Sequence, residues 1–465
     1  MEEAIKNQKI ALLNELSLNV LRSLSDRDIC GTRPITPQRD KSTGEYTFSI
    51  AGPRAGSVTL WGVGGRTSDL LEALSKQRCV NAHNLLPEKW KLATDKVAVY
   101  PYRGMVRIEA VWPSNLQIKE IVFPWNRIQS APYSKAVRSG NFASAPVLLG
   151  KDDTGSEVSI SFDTISKAHF LVGGMTGGGK SNADRAIAAQ VAFQESSRVI
   201  LIDGKGRRSF GPIDGLPGQI GPLASDLNSI RNALFWAVMQ LNERSQSIGE
   251  KFVPIYIFFD EPQRFTKNFP DDAIIAMLNL LVSQGRDVNI HVILSTQKPL
   301  VPTLGDSSTK EQLGVRIAFM CNSFAASKAI LDQNDPRADL ALSGSGDSFV
   351  LVPGAGIAHR VQFYFMTDEQ LALIGGGQPE IQEYPEYDPE FLGETESRVG
   401  APIKPYTILD RAVALKLVEN NYDVGRPTLI KKLKKYAGHG MGSERAINLL
   451  TETREIVSEM DGIDV

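Results

Sequence analysis

The stretch Gly174-Met175-Thr176-Gly177-Gly178-Gly179-Lys180-Ser181 limits what this chain can fold into more than any other. It fits G-x-x-x-x-G-K-[ST] in full, follows the apolar run "HFLVGG" and precedes the helix-like "NADRAIAAQVAF". A strand, a glycine loop and a helix in that order make a phosphate cradle. The glycines let the backbone wrap a β-phosphate, amide N–H groups point inward, and the helix N-terminus adds its positive end. Lys180 would reach the β- and γ-phosphates and Ser181 would ligate Mg²⁺, so ATP with Mg²⁺ is the expected ligand.

Two more apolar runs end in residues suited to the same chemistry. "PIYIFFDEP" closes on Asp260 and Glu261: Asp260 suits the hold on Mg²⁺, and Glu261 is placed to polarise a water for attack on the γ-phosphate. "HVILSTQ" closes on Thr296 and Gln297, either of which can touch the γ-phosphate or the attacking water if the strands run parallel and their ends share one edge. Arg286, in the loop before that strand, is a candidate arginine finger supplied to a neighbouring subunit, and Arg316 is a second.

Around these runs, short apolar segments alternate with helical patterns ("RVILIDG", "RIAFM", "SFVLVP"), which implies an α/β fold on a mostly parallel sheet. Residues 145–162 read as a hairpin leading into the glycine loop. Leu13, Leu16, Val20 and Leu24 recur at helical steps, so residues 4–24 read as an amphipathic helix docked on its own core. The expected organisation is an N-terminal helix (1–30), an α+β accessory domain (31–144), the ATPase domain (145–374), an acidic Pro- and Gly-containing linker (375–400) and a small helical domain (401–465).

The net charge of −2 over 465 residues supplies no global attraction to nucleic acid, so any such contact must be local. Between Val424 and Arg445, six basic residues (Arg426, Lys431, Lys432, Lys434, Lys435 and Arg445) face Glu444 alone. Three widely spaced cysteines, a start without a signal-peptide pattern and no long apolar run lead to the expectation of a reducing, cytoplasmic setting; work at a membrane would need a partner.

The order and spacing of "HFLVGGMTGGGKSNADRAI", "VILIDGKG", "IFFDEPQRF", "GRDVNIHVILSTQKP", "GVRIAFMCNSFAASKAILDQ" and "LSGSGDSFVLVPG" resemble the FtsK/SpoIIIE family of DNA translocases, within the FtsK–HerA group of P-loop ATPases, over residues 145–370. The resemblance implies a RecA-like motor domain assembled as a homo-hexamer around double-stranded DNA. It also implies Lys180 and Ser181 as nucleotide and Mg²⁺ ligands, Asp260 and Glu261 as the hydrolytic pair, Gln297 as γ-phosphate sensor and Arg286 as the finger acting in trans. The family's "DEF" is "DEP" here, with Pro262, and its "DPK" is Asp203-Gly204-Lys205. The basic C-terminal stretch resembles the winged-helix module that ends family members, which makes Arg426, Lys431, Lys432, Lys434 and Lys435 candidate phosphate contacts. The alternative is a nucleotide-dependent assembly or regulatory ATPase that does not track along DNA. Basic pore loops separate the two readings, and Lys298 and Lys310 are the candidates for them.

Overall fold

A computed structural model of the chain describes residues 2–24, 30–32, 38–39, 46–47, 55–62, 83–92, 94, 97–102, 105–117, 120–125, 146–152, 155–162, 169–193, 197–247, 252–268, 271–297, 311–334, 336–391, 408–420, 426–436, 449–450 and 453. The chain forms two compact units, Met1–Pro389 and Glu390–Val465.

The first unit opens with the helix Glu2–Leu24. Its Leu13, Leu16 and Val20 are buried, as their spacing predicts, in a core shared with the stacked rings of Trp90 and Trp112. Strands β1 (Cys30–Thr32), β4 (Ala55–Gly62), β5 (Val97–Tyr102) and β6 (Met105–Val111) make an antiparallel sheet in the order β1-β4-β6-β5, while β2 (Gln38–Arg39) and β3 (Tyr46–Thr47) pair with each other.

The second sheet holds ten strands: β7 (Ile121–Val122), β8 (Val147–Asp152), β9 (Glu157–Ile160), β10 (Phe170–Gly173), β11 (Arg198–Asp203), β12 (Ile255–Asp260), β13 (Ile290–Thr296), β14 (Val315–Phe319), β15 (Asp347–Leu351) and β16 (His359–Phe365). Its order is β11-β12-β13-β10-β14-β15-β16-β8-β9, with β7 beside β16. Strands β11, β12, β13, β10 and β14 are mutually parallel, and β10 to β13 are buried at nearly every position, which is why they read as unbroken apolar runs.

The expectation of a mostly parallel sheet holds for these five strands; β14 to β15, β15 to β16, β16 to β8 and β8 to β9 are antiparallel. The β8–β9 and β15–β16 links, residues 153–156 and 352–358, are too short for the crossover of a dozen or more residues that a parallel pair requires. The 145–162 hairpin forms as β8 and β9.

Residues of the acidic stretch 375–389 lie on the first unit: Gly377 N–H donates to Gly215 O, Glu380 N–H to Gln219 O and Ile381 N–H to Ile220 O, and Gly221 N–H donates to the Tyr384 hydroxyl. The second unit contains the helices Ile408–Asn420 and Arg426–Tyr436, whose Ala414, Val418, Leu429 and Leu433 share a core with Leu449 and Leu450.

Candidate functional site

Parallel strands end on the same edge, and here that edge collects the residues singled out above. Gly173 at the end of β10 is level with Thr296 of β13, and Asp260 of β12 is level with Ser295 of β13 and with Asp203 of β11. The glycine loop leaves β10 and enters the helix Lys180–Ala192, capped by Gly179 at φ 113°. A Cβ at Gly179 would stand 2.6 Å from Gly346 N, so the position is closed to side chains by space as well as by conformation. Gly346 N–H donates to Gly178 O at 2.9 Å and Ser345 Oγ to Gly177 O at 2.9 Å, so the segment ahead of β15 props the loop from behind.

Lys180 is buried, and its Nζ donates to Gly174 O at 2.7 Å and Met175 O at 3.0 Å. Burial pulls the ammonium below its ordinary pKa, against the opposing pull of Glu261 and Asp260. Ser181 Oγ lies 3.4 Å from Ser209 Oγ, which donates to Asp260 Oδ2 at 2.5 Å. Asp260 is fully buried, burial raises its carboxyl pKa, and Oδ1 has no hydrogen-bond donor among the described residues. Two serine hydroxyls beside a carboxylate with a spare oxygen suit a hard cation that keeps much of its water. The loop amides and Lys180 suit the phosphates.

Glu261 sits at φ 57°, in the left-handed region that a non-glycine residue adopts at a cost of about 1–3 kcal/mol. Its N–H donates to Ser295 O at 2.7 Å, which holds the bend, and its carboxylate is buried. Gln297 N–H lies 3.4 Å from Glu261 Oε2, and Thr176 Oγ1 donates to Gln297 Oε1 at 3.1 Å, so the two strand ends and the glycine loop meet. A cleft of about 290 Å³ runs between them, lined among others by Thr176, Lys180, Ser181, Lys205 and Gln297.

Two members of this group, Ser209 and Lys205, lie outside the motifs that mark the site in the sequence. Ser209 bridges Ser181 to Asp260, and nothing in its local sequence marks it. Lys205 was visible only as part of Asp203-Gly204-Lys205, yet its Nζ stands 2.6 Å from Glu261 Oε1. Gly204 explains the departure from "DPK": a Cβ there would lie 2.8 Å from both the Asp260 and the Glu261 carbonyl oxygens, and its N–H donates to Asp260 O.

The remaining candidates lie elsewhere. Arg286 is in a short turn before β13, at the strand end opposite the cradle, half-buried beside Asp287 and donating to Gln312 Oε1 at 3.2 Å. Arg316 is buried, with its guanidinium on the Leu313 and Ile330 carbonyl oxygens and 3.6 Å from Asp332, which makes it a poor group to offer to a neighbour. Lys298 and Lys310 lie outside the described residues. In the second unit, Lys431, Lys434 and Lys435 are exposed and Lys432 is half-buried on the helix that begins at Arg426.

A glycine cradle between a buried parallel strand and a helix, facing an Asp-Glu pair two strands away, defines a P-loop nucleotide-binding α/β fold. Residues 132–362 match the FtsK/SpoIIIE family, and the chain belongs to that family through this domain. It is 27% identical over 373 residues to the DNA translocase FtsK of Corynebacterium efficiens, covering 70% of this chain and 38% of that one. It is 25% identical over 316 residues to the DNA translocase FtsK of Pseudomonas aeruginosa, covering 58% and 38%. The chain thus spans about two fifths of the length of these curated relatives. Among solved structures it is similar to the pCW3 conjugation coupling protein TcpA in a monomer form with ATPgS, with a TM-score of 0.47 and 16% identity over 77% of this chain and 96% of that one.

Proposed function

We propose that this chain is an ATP-hydrolysing motor that moves double-stranded DNA, working as a homo-hexameric ring with ATP cleaved at subunit interfaces. The observation that carries this reading is the meeting of Lys180, Ser181, Asp260, Glu261 and Gln297 at one sheet edge, with Lys180, Ser181 and Gln297 lining one cleft there. Membership in the FtsK/SpoIIIE family supports DNA as the substrate.

In this reading Lys180 and the amides of residues 174–181 hold the phosphates. Ser181 and Asp260 hold Mg²⁺, which when bound offsets negative charge on the phosphate oxygens. Glu261, on a bent backbone directly after β12, orients a water and takes its proton. Gln297, tethered to the loop through Thr176, senses the terminal phosphate. Arg286 is separated from Gln297 by the whole of β13, roughly 20 Å at about 3.3 Å per residue, so a role at its own subunit's cradle is out of reach, which supports a role at a neighbour's. Lys431, Lys434 and Lys435, with Arg426 and Lys432 on the same helix, contact phosphates of the duplex.

ATP turnover measured with and without long duplex DNA, at two salt concentrations, tests the proposal. DNA-stimulated turnover that weakens with salt is expected. Turnover indifferent to DNA would return the chain to the class of assembly or regulatory ATPases. Mixing Arg286→Ala with Glu261→Gln chains tests the interface, since each inactive variant supplies what the other lacks. Subunit exchange without recovered activity rejects the trans finger.

A further inference from the structure

Among the described residues, Lys205 is the one ammonium that touches both the candidate base and the cleft. Its Nζ lies 2.6 Å from Glu261 Oε1 and 3.5 Å from Asp260 Oδ2, and its side chain also lines the cleft with Lys180, Ser181 and Gln297. The two carboxylates are buried, whereas about a third of the Lys205 side chain (31%) is exposed. Burial lowers its pKa, but Asp260 and Glu261 together raise it further, so the group stays charged at neutral pH.

Its backbone is anchored. Lys205 N–H donates to Asp203 Oδ1 at 2.8 Å, and the preceding Gly204 is clamped between Asp260 O and the Arg264 guanidinium. The four-carbon stem, by contrast, can rotate over the cleft, and a lysine head with three donors suits phosphoryl oxygens.

We propose that Lys205 is the residue by which this site distinguishes a nucleoside triphosphate from a diphosphate, its ammonium exchanging Glu261 for the terminal phosphoryl oxygens. The inference rests on the nucleotide reading above and adds a consequence to it. A terminal phosphate brings more negative charge to the cleft than one glutamate offers, so the ammonium moves to it. Glu261 is then released from its ion pair to hold the water. A diphosphate has nothing at that position, and Lys205 keeps Glu261 covered.

Binding of ADP and of ATPγS, each with Mg²⁺, measured by calorimetry on the full chain and on Lys205→Met, Lys205→Arg and Lys205→Met/Glu261→Gln chains, tests this. A charged hydrogen bond is worth about 1.5–3 kcal/mol, so Lys205→Met should lower the preference for ATPγS over ADP by about tenfold or more. Lys205→Arg should restore most of it. The double variant should stay deficient, because the lost contact is to phosphate; recovery there would mean that Lys205 merely neutralises Glu261, and would overturn the proposal. An unchanged preference in Lys205→Met, or equal losses for both nucleotides, would overturn it as well. Failure of the unaltered chain to bind either nucleotide would instead sink the nucleotide reading on which it rests.

Discussion

Replacing Arg360 with methionine should destabilise the first unit by about 3–5 kcal/mol, because it strips a cation from a buried, balanced cluster. Arg107 and Arg360 face Glu109 and Asp347, all four buried, two positive and two negative. Arg360 donates from Nε to Asp347 Oδ1 at 2.9 Å and from Nη2 to Asp347 Oδ2 at 2.5 Å and to Ala341 O at 3.0 Å, and its Nη1 lies 3.7 Å from Glu109 Oε2. Without it, Asp347 keeps only the Ser343 N–H among the donors described here, and one buried negative charge is uncompensated. At about 2.1 cal/mol/K of unfolding entropy per residue, a unit the size of Met1–Pro389 loses about 1 °C in Tm for each 0.8 kcal/mol, so the expected fall is roughly 4–6 °C. Asp347 follows directly on Gly346, which props the glycine loop, so the KM for ATP should rise in the same variant. Thermal and urea unfolding of Arg360→Met, Asp347→Asn and the double variant give the coupling energy. A loss below about 1 kcal/mol in Arg360→Met, or a double variant no better than the single, would refute the balanced-charge account.

Glu261→Gln should bind ATP with near-normal affinity yet turn over at least a hundredfold more slowly, since an amide holds water without accepting its proton; single-turnover assays measure this. His169 is buried beside His291 and Arg286, accepts the Val292 N–H at Nδ1 and has its pKa lowered to about 3, chiefly by burial. The unfolded chain takes up that proton below about pH 6.5 and the folded chain does not. The stability it contributes is therefore complete above pH 6.5 and drains away toward pH 3, at up to about 1.4 kcal/mol per unit. His169→Asn should flatten that acid slope in denaturant titrations. Exchanging Lys431, Lys434 and Lys435 for glutamine should weaken duplex binding and reduce the slope of log K against log salt by up to about 2.7, and an unchanged slope would remove this helix from the DNA contacts.

Local sequence determined the cradle. The glycine spacing around Lys180, the apolar run that puts Asp260 and Glu261 at a strand end and the helical steps of Leu13, Leu16 and Val20 each express a short-range rule: backbone freedom, strand burial, helix periodicity. Gln297 and Arg286 became candidates in the same way, from their places at the two ends of one strand, and the family resemblance gave them the roles of sensor and trans finger. Only the tertiary structure decided which ends meet. Strand order β11-β12-β13-β10 seats Lys205 of one loop against Glu261 of another and hangs Ser209 between Ser181 and Asp260, whereas Arg286, close to Gln297 in sequence, falls at the far end of its strand. The cluster of Glu109 and Arg360 joins strands β6 and β16, from two sheets and distant parts of the chain. No periodicity reports such a pair, because burial of a charge depends on a partner that the fold alone supplies.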